Sequence, residues 1–268
     1  MKPFDHYYQA LKSTNEGIID ASWGQGKTTF GGMSAALALA AIEREHPQQA
    51  PLRSISVNFC GALTTETPFT TQTRVLREGR SVSHYQAEVH QNDACTTLLN
   101  ACYGAQRDSD VLVEAPRNIA SAPDTGKTLG YIAGLTPEFV RHVDFSYLGG
   151  GMPFTNSKDN HVHGWMRFND GEGIMGEAHL IALIDTWPPA TLQKLANVAP
   201  CASITWSLEF LVPLCDLETP LAGNEWLYYE VNIEEAHGGF AHTTAEIYRA
   251  DGTLLALSRQ LVLVYDKR

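Results

Sequence analysis

One pattern occurs twice along the chain, and this repetition limits the possible folds more than any other feature. An Ala- and Leu-rich run at 31–45 reads as a single buried helix. Alternating segments follow at 54–59, 69–76, 82–90 and 95–103. A second apolar run at 175–184 is followed by alternating segments at 202–210, 226–233, 240–248 and 254–264. Pro47 and Pro51 stop the first helix, and Pro188-Pro189 stop the second. Ile55, Val57 and Phe59 share one strand face, as do Ile204, Trp206, Leu208 and Phe210. Glu78-Gly79-Arg80, Gln91-Asn92-Asp93 and Arg249-Ala250-Asp251-Gly252 supply turns.

The halves also agree residue by residue. His84, Ala87, Glu88, Val89 and Asp93 stand at a constant offset from His242, Ala245, Glu246, Ile247 and Asp251. Val57-Asn58-Phe59 followed by Leu63 parallels Leu208-Glu209-Phe210 followed by Leu214. A helix followed by four antiparallel strands, twice, predicts a duplicated α+β unit. The units are expected at 1–106 and 143–268, the second with an early strand at 163–168. The Pro- and small-residue-rich stretch 107–142 is read as a linker packed along the surface.

Composition excludes some functions. The formal charge is −11, from 19 Lys+Arg against 30 Asp+Glu, with no basic run. Nucleic acid is therefore not an expected partner, and an anionic substrate would need a local basic patch. Residues 1–15 lack a basic segment followed by an apolar one, so no signal peptide is read there. The longest apolar run, 33–42, is too short to span a bilayer, so no membrane association is expected. Cys60, Cys95, Cys102, Cys201 and Cys215 are odd in number and form no CxxC pair. Their spacing suggests neither a disulfide framework nor a zinc site, and the expected compartment is the cytoplasm.

The residues resemble a known family. Gly31-Gly32-Met33, Val57-Asn58-Phe59 and Val75 to Ser81 are similar to the N-terminal half of type II acyl-CoA thioesterases. Ala202 to Phe210, Asn224 to Tyr229 and Leu257-Ser258-Arg259-Gln260 are similar to the C-terminal half. The resemblance implies a double hot-dog, with two antiparallel sheets that each wrap a central helix and pair side by side. It implies hydrolysis of an acyl-CoA, as in fatty acid metabolism, without metal, cofactor or covalent intermediate. The attacking water would be held by an Asp, a Ser or Thr, and a Gln, here Asp185, Ser203 and Gln260. The family often has an acid two positions after the hydroxyl residue, where this chain has Thr205. Ser203 and Thr205 are read on one strand face, so either hydroxyl could reach the water.

Each of these residues also has an ordinary reading. Asp185 could leave its helix for solvent before Trp187-Pro188, although its counterpart at the same distance from Leu37 is the apolar Ile42. Gln260 could be a solvent-facing strand residue. Gly173 to Gly176 could offer free N–H groups at a helix start to an oxyanion. No GxSxG motif is present, and Gly24-Gln25-Gly26-Lys27-Thr28 lacks P-loop spacing. Asp159-Asn160-His161 faintly resembles a hydratase acid and His, while His163, His179, His237 and His242 form no metal motif. A hot-dog hydratase or dehydratase and a non-catalytic acyl-CoA-binding protein are the rival readings. Sheet edges left open by the two halves would need the linker or a second copy, so a homodimer or higher homo-oligomer is expected.

Overall fold

Helix α1 spans Phe4–Leu11, α2 Gly31–Glu45 and α3 Glu177–Ile184 in the computed structural model, which describes residues 1–47, 50–114, 119 and 122–267. Every α2 residue from Gly32 to Ile42 is buried. A helix without a wet face in this stretch lies inside the protein, which its small Ala side chains permit. The bounds of α2 are those expected. By contrast, α3 begins two residues later than expected. Met175 N–H donates to the Leu221 carbonyl at 2.9 Å, and Ile174 bridges to Ala222. The backbone before Gly176 is thereby committed to a neighbouring loop and cannot join the helix. The sequence reading passed over α1, whose buried Phe4, Tyr7 and Leu11 recur at helical spacing.

The first half supplies strands β1 (Leu52–Phe59), β2 (Phe69–Arg77), β3 (Val82–Gln91) and β4 (Ala94–Gly104). The second supplies β5 (Val143–Gly149), β6 (His161–Phe168), β7 (Cys201–Phe210), β8 (Leu227–His237), β9 (Phe240–Arg249) and β10 (Leu254–Val264). All pair antiparallel in the order β2-β3-β4-β1-β7-β10-β9-β8-β6-β5. The two sheets expected to pair side by side do so as one continuous sheet, of 12 strands with its short edges. β1 and β7 join the halves, with Asn58 opposite Thr205 and Ser54 opposite Glu209. Left apart, these strands would present unpaired N–H and C=O groups, and their pairing removes both edges. Four strands on each side of the junction follow mirrored orders, β2-β3-β4-β1 and β7-β10-β9-β8, as duplication requires. Glu16–Gly17 covers the β2 edge, and Lys127–Leu129, from the stretch read as linker, covers the β5 edge.

The two central helices pack on each other, with the start of α2 against the end of α3. Their approach is too close for side chains at the contact. A Cβ on Gly32 would lie 2.6 Å from Asp185 Cβ and 2.9 Å from the Ala182 carbonyl. One on Gly31 would lie 2.7 Å from the Phe59 ring. Ile42, near the far end of α2, is fully buried. Ile42→Ala should therefore lower unfolding free energy by about 2–5 kcal/mol. Chemical denaturation measures this, and a change below about 0.5 kcal/mol would contradict the packing.

Candidate active site

Asp185 terminates α3 and reaches the first turn of α2. Its Oδ2 accepts the Gly32 backbone N–H at 2.5 Å, and its Oδ1 accepts the Gln260 Nε2–H at 2.6 Å. The N-terminal end of α2 favours a negative charge there. Burial acts more strongly the other way. It pushes the carboxyl up to about 6, against the downward pull of the Gln260 and Gly32 donors. The residue keeps partial solvent access even so. Asp185 thus neither escapes to solvent nor loses its partners.

Gln260 lies on β10, opposite Trp206 of β7. Its inward neighbours on that strand include the buried Ser258 and Val262, and the solvent-facing reading of Gln260 does not hold. One of its two N–H groups serves Asp185, which leaves the other and the carbonyl for a ligand.

Ser203 and Thr205 do not share a face, contrary to the sequence reading. The register between β7 and β10 slips between them, so Ser203 stands opposite Val262 and Thr205 opposite Leu261. Directly opposed residues of an antiparallel pair project to the same side. Ser203 therefore turns inward with Val262 and is half-buried, whereas Thr205 is exposed. Cys201, two residues before Ser203, feels Asp185 directly. Burial and then the Asp185 charge push its thiol up to about 11.

The same slip occurs in the first half, where β1 and β4 lose register between Leu52 and Ser54. Ile55 faces Ala101 as Trp206 faces Gln260, and Leu52 faces Tyr103 as Ser203 faces Val262. The positions matching Asp185, Ser203 and Gln260 are thus Ile42, Leu52 and Ala101. All three are buried and apolar. One half has buried apolar residues where the other has an acid bonded to an amide and, on the neighbouring strand, a hydroxyl on the inward face.

Sequence reasoning missed three parts of the surroundings. Gly32 donates to Asp185 from 153 positions away in the chain. Tyr229 has its phenol pushed up by burial and by the Asp185 charge. Its ring stacks on Trp187 with centroids 5.2 Å apart, and Trp187 stacks on Tyr147 at 4.7 Å. These rings form an aromatic wall beside the acid. Gly173 to Gly176 precede α3, as expected, whereas the helix start that meets Asp185 belongs to α2.

The histidines give no equivalent centre. His142 Nδ1–H donates to Asp170 at 2.9 Å and its Nε2 bonds to the Ser22 hydroxyl at 3.0 Å, with Trp23 stacked on the ring at 4.0 Å. Ser22 Oγ also bonds to Asp20. This Ser-His-Asp arrangement ties elements together and leaves no ring nitrogen for a substrate. Asp159 Oδ2 accepts the Ser157 hydroxyl, its backbone N–H donates to Ser157 Oγ, and among the described residues no hydrogen bond joins it to a histidine.

Burial of an acid predicts a pH signature. The folded-state carboxyl holds its proton more tightly than an unfolded Asp, near 3.8. Ionisation between about pH 4 and pH 6 therefore destabilises the fold, by up to roughly 3 kcal/mol once complete above pH 6. Asp185→Asn should raise Tm relative to wild type at pH 8 and lose that advantage at pH 4. Calorimetry at the two pH values tests this, and an equal Tm difference at both would contradict it.

With the geometry established, comparison with known proteins places the chain. Residues 19–104 match the acyl-CoA thioesterase N-terminal domain, and residues 116–264 match the acyl-CoA thioesterase C-terminal domain. No curated protein matches the sequence. Among solved structures, a hot-dog-fold protein of unknown function from Alicyclobacillus acidocaldarius superposes with TM-score 0.84 at 22% identity, over 98% of this chain and 99% of that one. The acyl-CoA thioesterase II TesB2 from Mycobacterium marinum superposes with TM-score 0.70 at 18% identity, over 90% of each chain. No helix among the described residues is long and apolar enough to cross a membrane. The chain has the hot-dog fold and belongs to the acyl-CoA thioesterase family.

Proposed function

We propose that this protein hydrolyses an acyl-CoA to the free acid and CoA, with Asp185 as general base. The observation that carries this reading is the contrast between the halves: Asp185, Ser203 and Gln260 replace Ile42, Leu52 and Ala101 at matched positions. A carboxylate bonded to an amide beside a helix N-terminus, with a hydroxyl on the inward face of the next strand, suits a bound water better than a packed core.

In the proposed reaction, water is held by the Ser203 hydroxyl and the free valences of the Gln260 amide. Asp185 takes a proton as the water oxygen attacks the thioester carbonyl. Collapse of the tetrahedral intermediate breaks the C–S bond, and the CoA thiolate leaves and takes up a proton. Thr205 turns away and is not assigned to the water. The aromatic wall of Tyr147, Trp187 and Tyr229 flanks the acyl group. The reading retains units at 1–106 and 143–268 joined by 107–142, a cytoplasmic location, and assembly as a homodimer or higher homo-oligomer. The sheet edges give only modest support to assembly, because Glu16–Gly17 and Lys127–Leu129 already cover them.

Thiol release across short, medium, long and aromatic acyl-CoAs tests the activity. Asp185→Asn should lower kcat by about 10²-fold or more, the usual range for a general base. Gln260→Ala and Ser203→Ala should also lower kcat, and Thr205→Ala should leave it within a factor of two or so. Wild-type turnover by folded Asp185→Asn protein would overturn the mechanism. Hydration of an enoyl-CoA without thiol release would favour the hydratase reading, and tight binding without turnover would favour a binding protein.

A further inference from the structure

A second cluster of chemically capable side chains lies at the β3–β4 hairpin. This hairpin turns through Asn92 and Asp93, both with positive φ, of 50° and 62°. Tyr85, Ala87 and Val89 of β3 are buried, so the alternate Glu88 and His90 occupy the opposite face of the sheet. His90 stands opposite Cys95, while Val89 stands opposite Thr97. Thr96 is the extra residue, and the bulge re-aims Cys95. The chain leaving β1 then passes alongside. Cys60 and Gly61 both donate their N–H groups to the Thr96 carbonyl, at 2.9 and 3.0 Å.

Three side chains of the hairpin, Glu88, His90 and Cys95, thereby have Cys60, distant in sequence, alongside them. Ligand atoms of Glu88, His90 and Cys95 all lie within 4.8 Å of one another. His90 Nε2 is 2.6 Å from Glu88 Oε2. The Cys60 and Cys95 thiols donate to the Asn58 and Thr97 carbonyls, at 3.7 and 3.5 Å, and Cys95 is pushed up to about 11 by burial and by its Cys60 and Glu88 neighbours. Cys60 is exposed and the other three are partly so, which gives an ion from solvent a path of entry.

We propose that Cys60, Glu88, His90 and Cys95 bind a divalent, thiol-seeking metal ion, with Zn²⁺ the best match. Two sulfurs, an imidazole and a carboxylate make a four-ligand set of the kind zinc takes in tetrahedral geometry, with bonds of about 2.0–2.3 Å. Calcium and magnesium prefer oxygen alone. Small side-chain rotations would close the present spacing to that size. Binding releases two thiol protons to solvent and replaces the His90–Glu88 hydrogen bond with bonds to the metal, so affinity rises with pH. The ion would clip the end of β1 to the β3–β4 hairpin, on the sheet face opposite α2 and apart from Asp185.

The test is a Co²⁺ titration of the full chain, with thiols kept reduced by a phosphine and no chelator present. One ion per chain should bind, with sulfur-to-cobalt charge-transfer absorption that Zn²⁺ abolishes by displacement. Zn²⁺ should also raise Tm, as any ligand selective for the folded state does. Cys95→Ser and His90→Ala should each weaken binding by at least about tenfold, and Cys215→Ser, at an exposed thiol elsewhere, should not change it. Should Cys95→Ser or His90→Ala protein fail to fold, Glu88→Gln at the partly exposed carboxylate serves in its place and should weaken binding likewise. Absence of the charge-transfer band in wild type, or equal binding by the folded ligand variant and Cys215→Ser, would overturn the proposal.

Discussion

The contact between the start of α2 and the end of α3 governs the rest of the structure. Two glycines, Gly31 and Gly32, let the helix ends approach closely enough for a backbone N–H to meet the Asp185 carboxylate. A side chain on Gly32 would occupy the space of Asp185 Cβ itself. The contact locks the two halves together across the middle of the molecule. It also leaves an acid where burial disfavours its charge and a helix N-terminus favours it. Balanced in this way, Asp185 titrates close to neutrality, where a carboxylate is an effective base.

Duplication explains why such a residue can exist at all. A fold made of two similar units has two equivalent places at the helix ends, and only one needs to be filled by packing alone. The first half fills its place with Ile42, Leu52 and Ala101. The matched place in the second half can then carry polar groups while the first supplies stability. The β1–β7 junction supports this division. It runs a single sheet through both halves, so strand β7, with Ser203, is fixed on one side by β10 and on the other by β1.

Much of the scaffold was legible in the sequence because hydrophobic periodicity is a local signal. The Ala-Leu run of α2 fixed its own bounds, and the alternation of Ile55, Val57 and Phe59 marked β1. Helix α1 was also present as a spacing, Phe4, Tyr7 and Leu11, and was passed over because the segment looks polar. Joining of the halves was not legible, since Asn58 and Thr205 carry no mark of each other. At the site, Asp185 stood out as an acid ending an apolar run. Gln260 did not stand out, and the separation of Ser203 from Thr205 depends on a one-residue slip that alternation cannot show. The Glu88, His90 and Cys95 cluster was likewise hidden, because its spacing matches no linear metal motif; the hairpin brings these three together and the chain leaving β1 brings Cys60 alongside.

The central claim is that a buried, partnered Asp185 supplies the base. The dependence of kcat/KM on pH for acyl-CoA hydrolysis tests it most directly, because that ratio reports ionisations of the free enzyme. The rate should fall as pH drops through an inflection near 6, the value to which burial raises this carboxyl, and should level off above it. A profile that stays flat from pH 5 to pH 8, after subtraction of uncatalysed hydrolysis, would contradict the account.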